Sequence, residues 1–219
     1  VTDIEGIEGA AAVQLDYSAH NIEAWGGYAK IFHMHPDLAT GGTYDWSGYD
    51  SLSLSYYNSV PQSGTNNVEL RINLSDYAGI TDDSYVGLGE YYYSFHTVLS
   101  SEPGWNTISL PIVRNDSWDG GGFNLTGWAG DSDNGELEGH AIGGFHFEFS
   151  IAGSGEGDHT TGTIVLDNMI LTGYQGEDLV IFNGMSTPPA WGAPFSWGGA
   201  QMYVTEGGGF DEGTNALIY

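Results

Sequence analysis

The sequence predicts an all-β protein, an antiparallel β-sandwich of the jelly-roll type. Three observations carry that expectation. Short apolar runs recur along the 219 residues with alternating polar positions, the period of a half-buried strand. Thirty-five glycines are scattered between those runs, where an all-β chain needs turns. No segment keeps a 3.6-residue apolar period over three turns, so strands are not separated by helices as a βαβ fold would require.

The strands expected in order are Val13 to Tyr17, Leu52 to Tyr57, Val68 to Leu74, Tyr91 to Leu99, Asn106 to Val113, Gly144 to Ile151 and Thr163 to Thr172. Each is bounded by Gly, Asn, Asp, Ser or Pro. Leu52, Leu54 and Tyr56 alternate with Ser53, Ser55 and Tyr57. Val68, Leu70, Ile72 and Leu74 alternate with Glu69, Arg71 and Asn73, and Phe145, Phe147 and Phe149 with His146, Glu148 and Ser150. One face of each strand therefore meets a core and the other faces water. Extended to the run Glu90 to His96, the pattern turns Tyr91, Tyr93 and Phe95 inward, and Tyr92, Ser94 and His96 outward. If these four strands share a sheet, its outer face carries Tyr57, Arg71, Asn73, Tyr92, His96, His146 and Glu148. Aromatic rings beside donors and acceptors are what a sugar needs: its C–H faces stack on rings and its hydroxyls bond to the polar groups. An ordinary solvated sheet face would be richer in Thr, Lys and Glu.

Charge narrows the partners. Twenty-nine acidic residues stand against three basic ones, Lys30, Arg71 and Arg114, a formal net charge of −26. Nucleic acid is excluded as a partner, because phosphate binding needs clustered Lys or Arg. Anionic membranes and strongly anionic polymers are disfavoured for the same reason. Such self-repulsion calls for screening by salt or divalent cations, which points to a secreted or cell-surface location in a saline setting. With no cysteine there is no disulfide framework, which decides nothing about compartment. No signal peptide is evident, and no apolar run is long enough to span a bilayer as a helix.

Three segments carry a family resemblance. Tyr44 to Leu54 (YDWSGYDSLSL), Gly104 to Pro111 (GWNTISLP) and Ile164 to Leu171 (IVLDNMIL) stand in that order. Together they resemble the early strand entry, a middle strand and the closing strand of galactose-binding-domain-like modules. More narrowly, they resemble carbohydrate-binding module family 11 and complex I intermediate-associated protein type domains, over roughly residues 10 to 173. The resemblance implies a β-jelly roll that binds a neutral β-glucan-like polysaccharide on one sheet. It also implies a structural Ca²⁺ near the closing-strand Asp, here Asp167. Calcium takes six to eight oxygen ligands, and Asp3, Glu5 and Glu8 in the Gly-rich entry segment are the further candidates to meet Asp167. Asp131, Asp133, Asn134, Glu136 and Glu138 alternate like a calcium loop but lack EF-hand spacing.

The chain also hints at a repeat. Residues 8–15 align with 212–219, an offset of 204, and Asp178 to Gly184 with Trp191 and Trp197 resemble the opening of a module. Residues 1–175 are thus expected to be a jelly-roll module lacking its first strand, and 176–219 the start of a second module or a complementing strand segment. An open edge must be filled, by the chain's own tail or by a neighbour's in a homopolymer or tandem array.

The leading expectation is an extracellular, non-catalytic glycan-binding module from a tandem-repeat or polymeric surface protein. The alternative is a structural subunit of a filament or sheath assembled by strand donation. A polysaccharide-active enzyme on the same scaffold ranks third. His33 and His35 have the i, i+2 spacing of a metal pair on a strand but lack a third ligand in sequence, and no G-x-S-x-G, H-E-x-x-H or phosphate-loop motif is present.

Overall fold

The computed structural model describes residues 12–21, 28–60, 68–80, 88–94, 97–100, 102, 104–117, 121–131, 133–151, 156–173, 178–182, 195–197, 201–206 and 217–218. Its strands are β1 (Val13–His20), β2 (Tyr28–Met34), β3 (Ser51–Val60), β4 (Val68–Asp76), β5 (Glu90–Ser94), β6 (Thr97–Val98) and β7 (Trp105–Pro111). They continue with β8 (Phe123–Gly130), β9 (Ile142–Ile151), β10 (His159–Thr172), β11 (Leu179–Phe182), β12 (Phe195–Trp197), β13 (Gln201–Glu206) and β14 (Leu217–Ile218). Among the described residues the helical content is two 3₁₀ turns, Leu38–Thr40 and Gly139–Ala141.

Two antiparallel seven-stranded sheets form the sandwich. One runs β14-β13-β1-β10-β3-β7, with β11 also on β10; the other runs β12-β2-β9-β4-β5-β8, with β6 also on β4. The chain crosses between sheets at β1–β2, β2–β3, β3–β4, β6–β7, β7–β8, β9–β10, β11–β12 and β12–β13, the jelly-roll habit. Its all-β sandwich character is as the sequence predicts.

The core forms where the inner faces meet. Leu15, Leu52, Leu54 and Leu166 come from the first sheet, and Ile31, Leu70, Ile72, Leu74, Phe145, Phe147 and Phe149 from the second. Tyr17 of β1 stacks on Phe149 of β9, centroids 4.9 Å apart and planes within 4°, joining the layers. Each fully buried large side chain contributes about 1.5–3 kcal/mol, so this shared layer fixes which face of each strand points in.

Several sequence expectations change here. Strands β2 and β8 were not foreseen. The expected strand from Tyr91 to Leu99 is two pieces, β5 and β6. β3 does not share a sheet with β4, because β3 pairs with β10 and β7 while β4 pairs with β9, β5 and β6. The tail strands lie in these same sheets: β11 pairs with β10, β12 with β2 and β13 with β1.

One end of the second sheet is set by glycines. Gly89 and Gly130 have φ of 61° and 83°, in the left-handed region that glycine tolerates. A Cβ on Gly89 would sit 2.3 Å from the Asp76 carbonyl oxygen, and one on Gly130 2.4 Å from that of Gly89. The backbones close together there and bring β8 and the loop after it over β5.

Candidate binding cleft

The outer face of the second sheet is where chemistry gathers. β2 is apolar on its inner side through Ala29 and Ile31, so Tyr28, Lys30, Phe32 and Met34 take the outer side. β9 buries its three Phe and turns His146 and Glu148 outward, while β4 turns out Arg71, Asn73 and Ser75. Register places Glu148 between Lys30 on one side and Arg71 on the other, and His146 between Phe32 and Asn73. Of these, Tyr28, Lys30, Phe32, Met34, Arg71, His146 and Glu148 line a cleft of about 690 Å³ together with Leu38, Ala39, Leu88, Tyr91, Trp128 and Ala129, while Asn73 and Ser75 are fully buried behind it.

Hydrogen bonds organise its floor. The Arg71 guanidinium donates to Glu148 Oε1 in an ion pair. Asn73 Nδ2 donates to Glu148 Oε2 at 3.1 Å and to Tyr91 Oη at 2.7 Å. Ser75 Oγ lies 3.1 Å from His146 Nε2. Three enclosed atoms have no hydrogen-bond partner among the described residues: Arg71 Nε, Asn73 Oδ1 and His146 Nδ1. Buried polar groups are ordinarily satisfied, so this floor has bonding capacity that the described side chains leave unused.

Rings surround these polar groups. Lys30 Nζ lies 5.2 Å from the Tyr91 ring centroid and 5.9 Å from that of Tyr28. Arg71 sits 5.0 Å from the Tyr93 ring, distances at which cation–π attraction operates. Tyr93 packs on Trp128 at 5.1 Å, and Trp128, at the mouth, is 66% exposed. Burial shifts the titrating groups: it lowers the Lys30 ammonium, holds His146 well below the usual imidazole range and drives Tyr91 far above the usual phenol range. Burial therefore favours the neutral imidazole at His146, and the Lys, Arg, Asp and Glu side chains lining the cleft among the described residues are Lys30, Arg71 and Glu148.

Of the seven expected platform residues, Arg71, His146 and Glu148 line this cleft, and Asn73, fully buried, supports it through its bonds to Glu148 and Tyr91. Tyr92 does neither. It is fully buried in the core, because its partner across the ladder is Leu74 and paired residues share a face. Its hydroxyl donates to Glu90 Oε2 at 3.0 Å. The outward residues of β5 are Tyr91 and Tyr93, the reverse of the expected phase. Tyr57 lies on the outer face of the opposite sheet, edge-on to Trp105 at 5.7 Å. His96 lies outside the described residues. Lys30, Tyr28, Phe32, Tyr91 and Trp128 were not among the expected binding residues. β2 hid Tyr28, Lys30 and Phe32, being apolar on both faces, although Lys30 as one of three basic residues was a usable signal; Tyr91 was given the opposite phase, and Trp128 lies in β8, a strand not foreseen.

The metal candidates fare differently. Asp3, Glu5 and Glu8 lie outside the described residues. Asp167 is 1% exposed, and its Oδ1 accepts the Asn168 N–H at 2.7 Å. Asn168 takes φ 55° at an irregularity in the β10–β3 register, and its enclosed Oδ1 has no hydrogen-bond partner among the described residues. These two oxygen-bearing side chains suit a hard cation in kind but are too few to make a cage. Among the described residues no group of three or more His, Cys, Asp or Glu is placed to hold a metal.

His33 bonds instead to Tyr44 Oη at 2.6 Å, and His35 Nδ1 accepts the Asp37 N–H. The acidic loop bonds to its surroundings: Asp133 and Gly135 N–H groups donate to Glu90, and the Glu138 N–H to Asp76 Oδ2.

No family model matches the chain, and no curated protein matches it. Solved structures similar to it include a family 11 carbohydrate-binding module from Clostridium thermocellum in complex with a β-1,3-1,4-mixed-linked tetrasaccharide. That likeness has 18% identity, covers 81% of this chain and 96% of that one, and has a TM-score of 0.42. Another is the family 11 module of a cellulosomal cellulase of the same organism, at 18% identity, 80% and 94% coverage and a TM-score of 0.41.

Proposed function

We propose that this chain is a non-catalytic carbohydrate-binding module whose cleft on the β2-β9-β4-β5 face holds a segment of a polysaccharide, in the first instance a β-glucan. The observation that carries this reading is the composition of the cleft: rings of Tyr28, Phe32, Tyr91 and Trp128 around a hydrogen-bonding floor of Arg71, Asn73, His146 and Glu148. Rings supply flat apolar area at low entropy cost, and the unused polar atoms can bond hydroxyls.

Catalysis is less well supported. Among the described residues Glu148 is the one carboxylate lining the cleft, whereas most glycosidases use a pair, and it is already held by Arg71 and Asn73. An extracellular, saline setting fits the charge, and a structural Ca²⁺ at Asp167 and Asn168 fits their oxygens. The pairing of β11, β12 and β13 with strands of their own chain supports a self-contained module over a strand donor.

The test is titration calorimetry against soluble β-glucans, comparing the native chain with Trp128→Ala. Trp128 is exposed, so the variant keeps its fold and weakens binding by about 0.5–1.5 kcal/mol, the value of one aromatic contact. Unchanged affinity removes the cleft from the binding event.

A further inference from the structure

We infer that the glycan site continues past the cleft: Trp128 is a platform shared with a second hollow beyond β8, and that hollow takes further units of the same chain. The inference rests on the carbohydrate reading above. Trp128 and Ala129 line both spaces, the cleft of about 690 Å³ and a neighbouring hollow of about 450 Å³. The strand order β2-β9-β4-β5-β8 sets the direction. The cleft floor comes from β2, β9, β4 and β5, and Trp128 stands on the next strand. The loop after β8 walls the second hollow through Asp131, Asp133 and Asn134. A chain lying across the strands therefore meets Trp128 and then this hollow.

Local structure explains how Trp128 comes to stand there. In the β5–β8 ladder Glu90 pairs with Gly130 and Tyr92 with Leu125, so Thr126 to Ala129 stand opposite Tyr91 alone. They bulge outward, and a bulge re-aims its side chains. The Thr126 hydroxyl donates to the Ala129 carbonyl at 2.8 Å and closes the bulge, while the backbones of Gly89 and Gly130 meet at its base. The indole thus projects into solvent from a pinned backbone, braced by the Tyr93 ring. Gly127 points the same way. Its φ lies outside the left-handed region, and a Cβ there would meet nothing within 4 Å. Neither backbone nor packing requires glycine at this position. Its bareness leaves open space beside the indole, inside the second hollow.

The far wall is formed in advance. Glu90 Oε1 accepts the Asp133 N–H at 2.7 Å and the Gly135 N–H at 3.0 Å, and Arg114 donates to the Gly135 carbonyl. Asn134 is tied to Glu136 and Glu138. A wall already ordered costs little ordering entropy on binding, and the exposed carboxylates of Asp131 and Asp133 are acceptors for hydroxyl donors. A ring beside polar groups repeats the chemistry of the cleft. Neighbouring strands stand about 4.8 Å apart, close to the length of one β-1,4-linked glucosyl unit, so β2 to β5 span about four units. Units beyond the fourth fall on Trp128 and the second hollow.

The experiment compares cellotetraose with cellohexaose by calorimetry. Native protein is expected to bind the hexaose at least about tenfold more tightly, the effect of one further ring contact and its polar partners. That exceeds the few-fold that a longer chain gains by sliding over the same four positions. Gly127→Leu and, as a filler of different polarity, Gly127→Gln occupy the second hollow. Both are expected to bind the tetraose as native protein does and to hold the hexaose within about threefold of it, with circular dichroism checking their fold. A native gain of only a few-fold overturns the inference and leaves the carbohydrate reading standing. A tenfold gain that persists in the filled variants overturns it too, as does equal weakening of both sugars in them. Failure of both sugars to bind native protein overturns the carbohydrate reading and the inference together.

Discussion

The Arg71–Glu148 pair offers a thermodynamic cycle with an unusual sign. Their side chains are 14% and 6% exposed, so both charges are largely out of water. Arg71→Met keeps the aliphatic stem but strands Glu148 with the Asn73 amide and the Lys30 charge as its compensation. Breaking a buried pair by removing one partner costs about 3–5 kcal/mol. The neighbouring Lys30 places Arg71→Met near the lower end of that range. Glu148→Leu leaves two cations facing each other across β9 and is expected to cost as much. The double variant removes both desolvated charges and the need to pair them, and replacing a buried pair by apolar residues is often neutral or stabilising. It should therefore lie above either single variant, and below native only by the cost of taking the Glu148 charge away from Lys30. Urea unfolding followed by tryptophan fluorescence gives the three midpoints. Single variants within experimental error of native would refute the claim that this pair is desolvated, and a double variant as unstable as the sum of the singles would refute the claim that the two charges are coupled.

Three further outcomes follow from other parts of the molecule. Asp76 is 1% exposed, and burial first, against the pull of the Ala78 and Glu138 N–H groups, raises its pKa from 3.8 to about 6. A carboxyl whose folded value is raised binds its proton more tightly in the folded state, so stability grows as pH falls from about 6 towards about 4, by up to about 3 kcal/mol; Asp76→Asn should flatten that rise, and an unchanged pH profile would contradict it. Adding Ca²⁺ should raise the melting temperature through linkage and Asp167→Asn should remove the increase, whereas a transition indifferent to chelation would leave Asp167 a hydrogen-bonding residue alone. Deleting residues 178–219 strips β11, β12 and β13 from β10, β2 and β1, uncovering the edges of both sheets, and should abolish cooperative unfolding; a truncated chain as stable as before would show that these strands add nothing to the module.

The sandwich was legible because β3, β4 and β9 write their faces plainly. In β9 three Phe alternate with His, Glu and Ser, and burial of those rings leaves one orientation. Where alternation loses contrast, the reading fails. Tyr91, Tyr92 and Tyr93 are chemically identical, so the phase of β5 is decided by the ladder to Leu74 and not by its own residues. β2 reads Tyr-Ala-Lys-Ile-Phe-His-Met, apolar on both sides because its outer face lines a cleft, and so it carries no period-2 signal. Tyr57 alternates outward as expected, but which sheet β3 joins is settled by pairing with β10, more than a hundred residues away. Arg71, Asn73, His146 and Glu148 were found because they sit on the two strands whose phase is unambiguous. Lys30 and Trp128 were missed because one lies in β2 and the other beside the irregular end of β8.

The central claim is that sugar is held on the second sheet and not elsewhere on the molecule. The direct measurement is a two-dimensional NMR titration of isotope-labelled protein with a cello-oligosaccharide, following backbone amides and the indole N–H groups. The account predicts that perturbations concentrate on Lys30, Arg71, Tyr91, His146, Glu148 and the Trp128 indole, with the opposite sheet silent. Perturbations centred on Tyr57 and Trp105, the aromatic pair on the outer face of the first sheet, would contradict it.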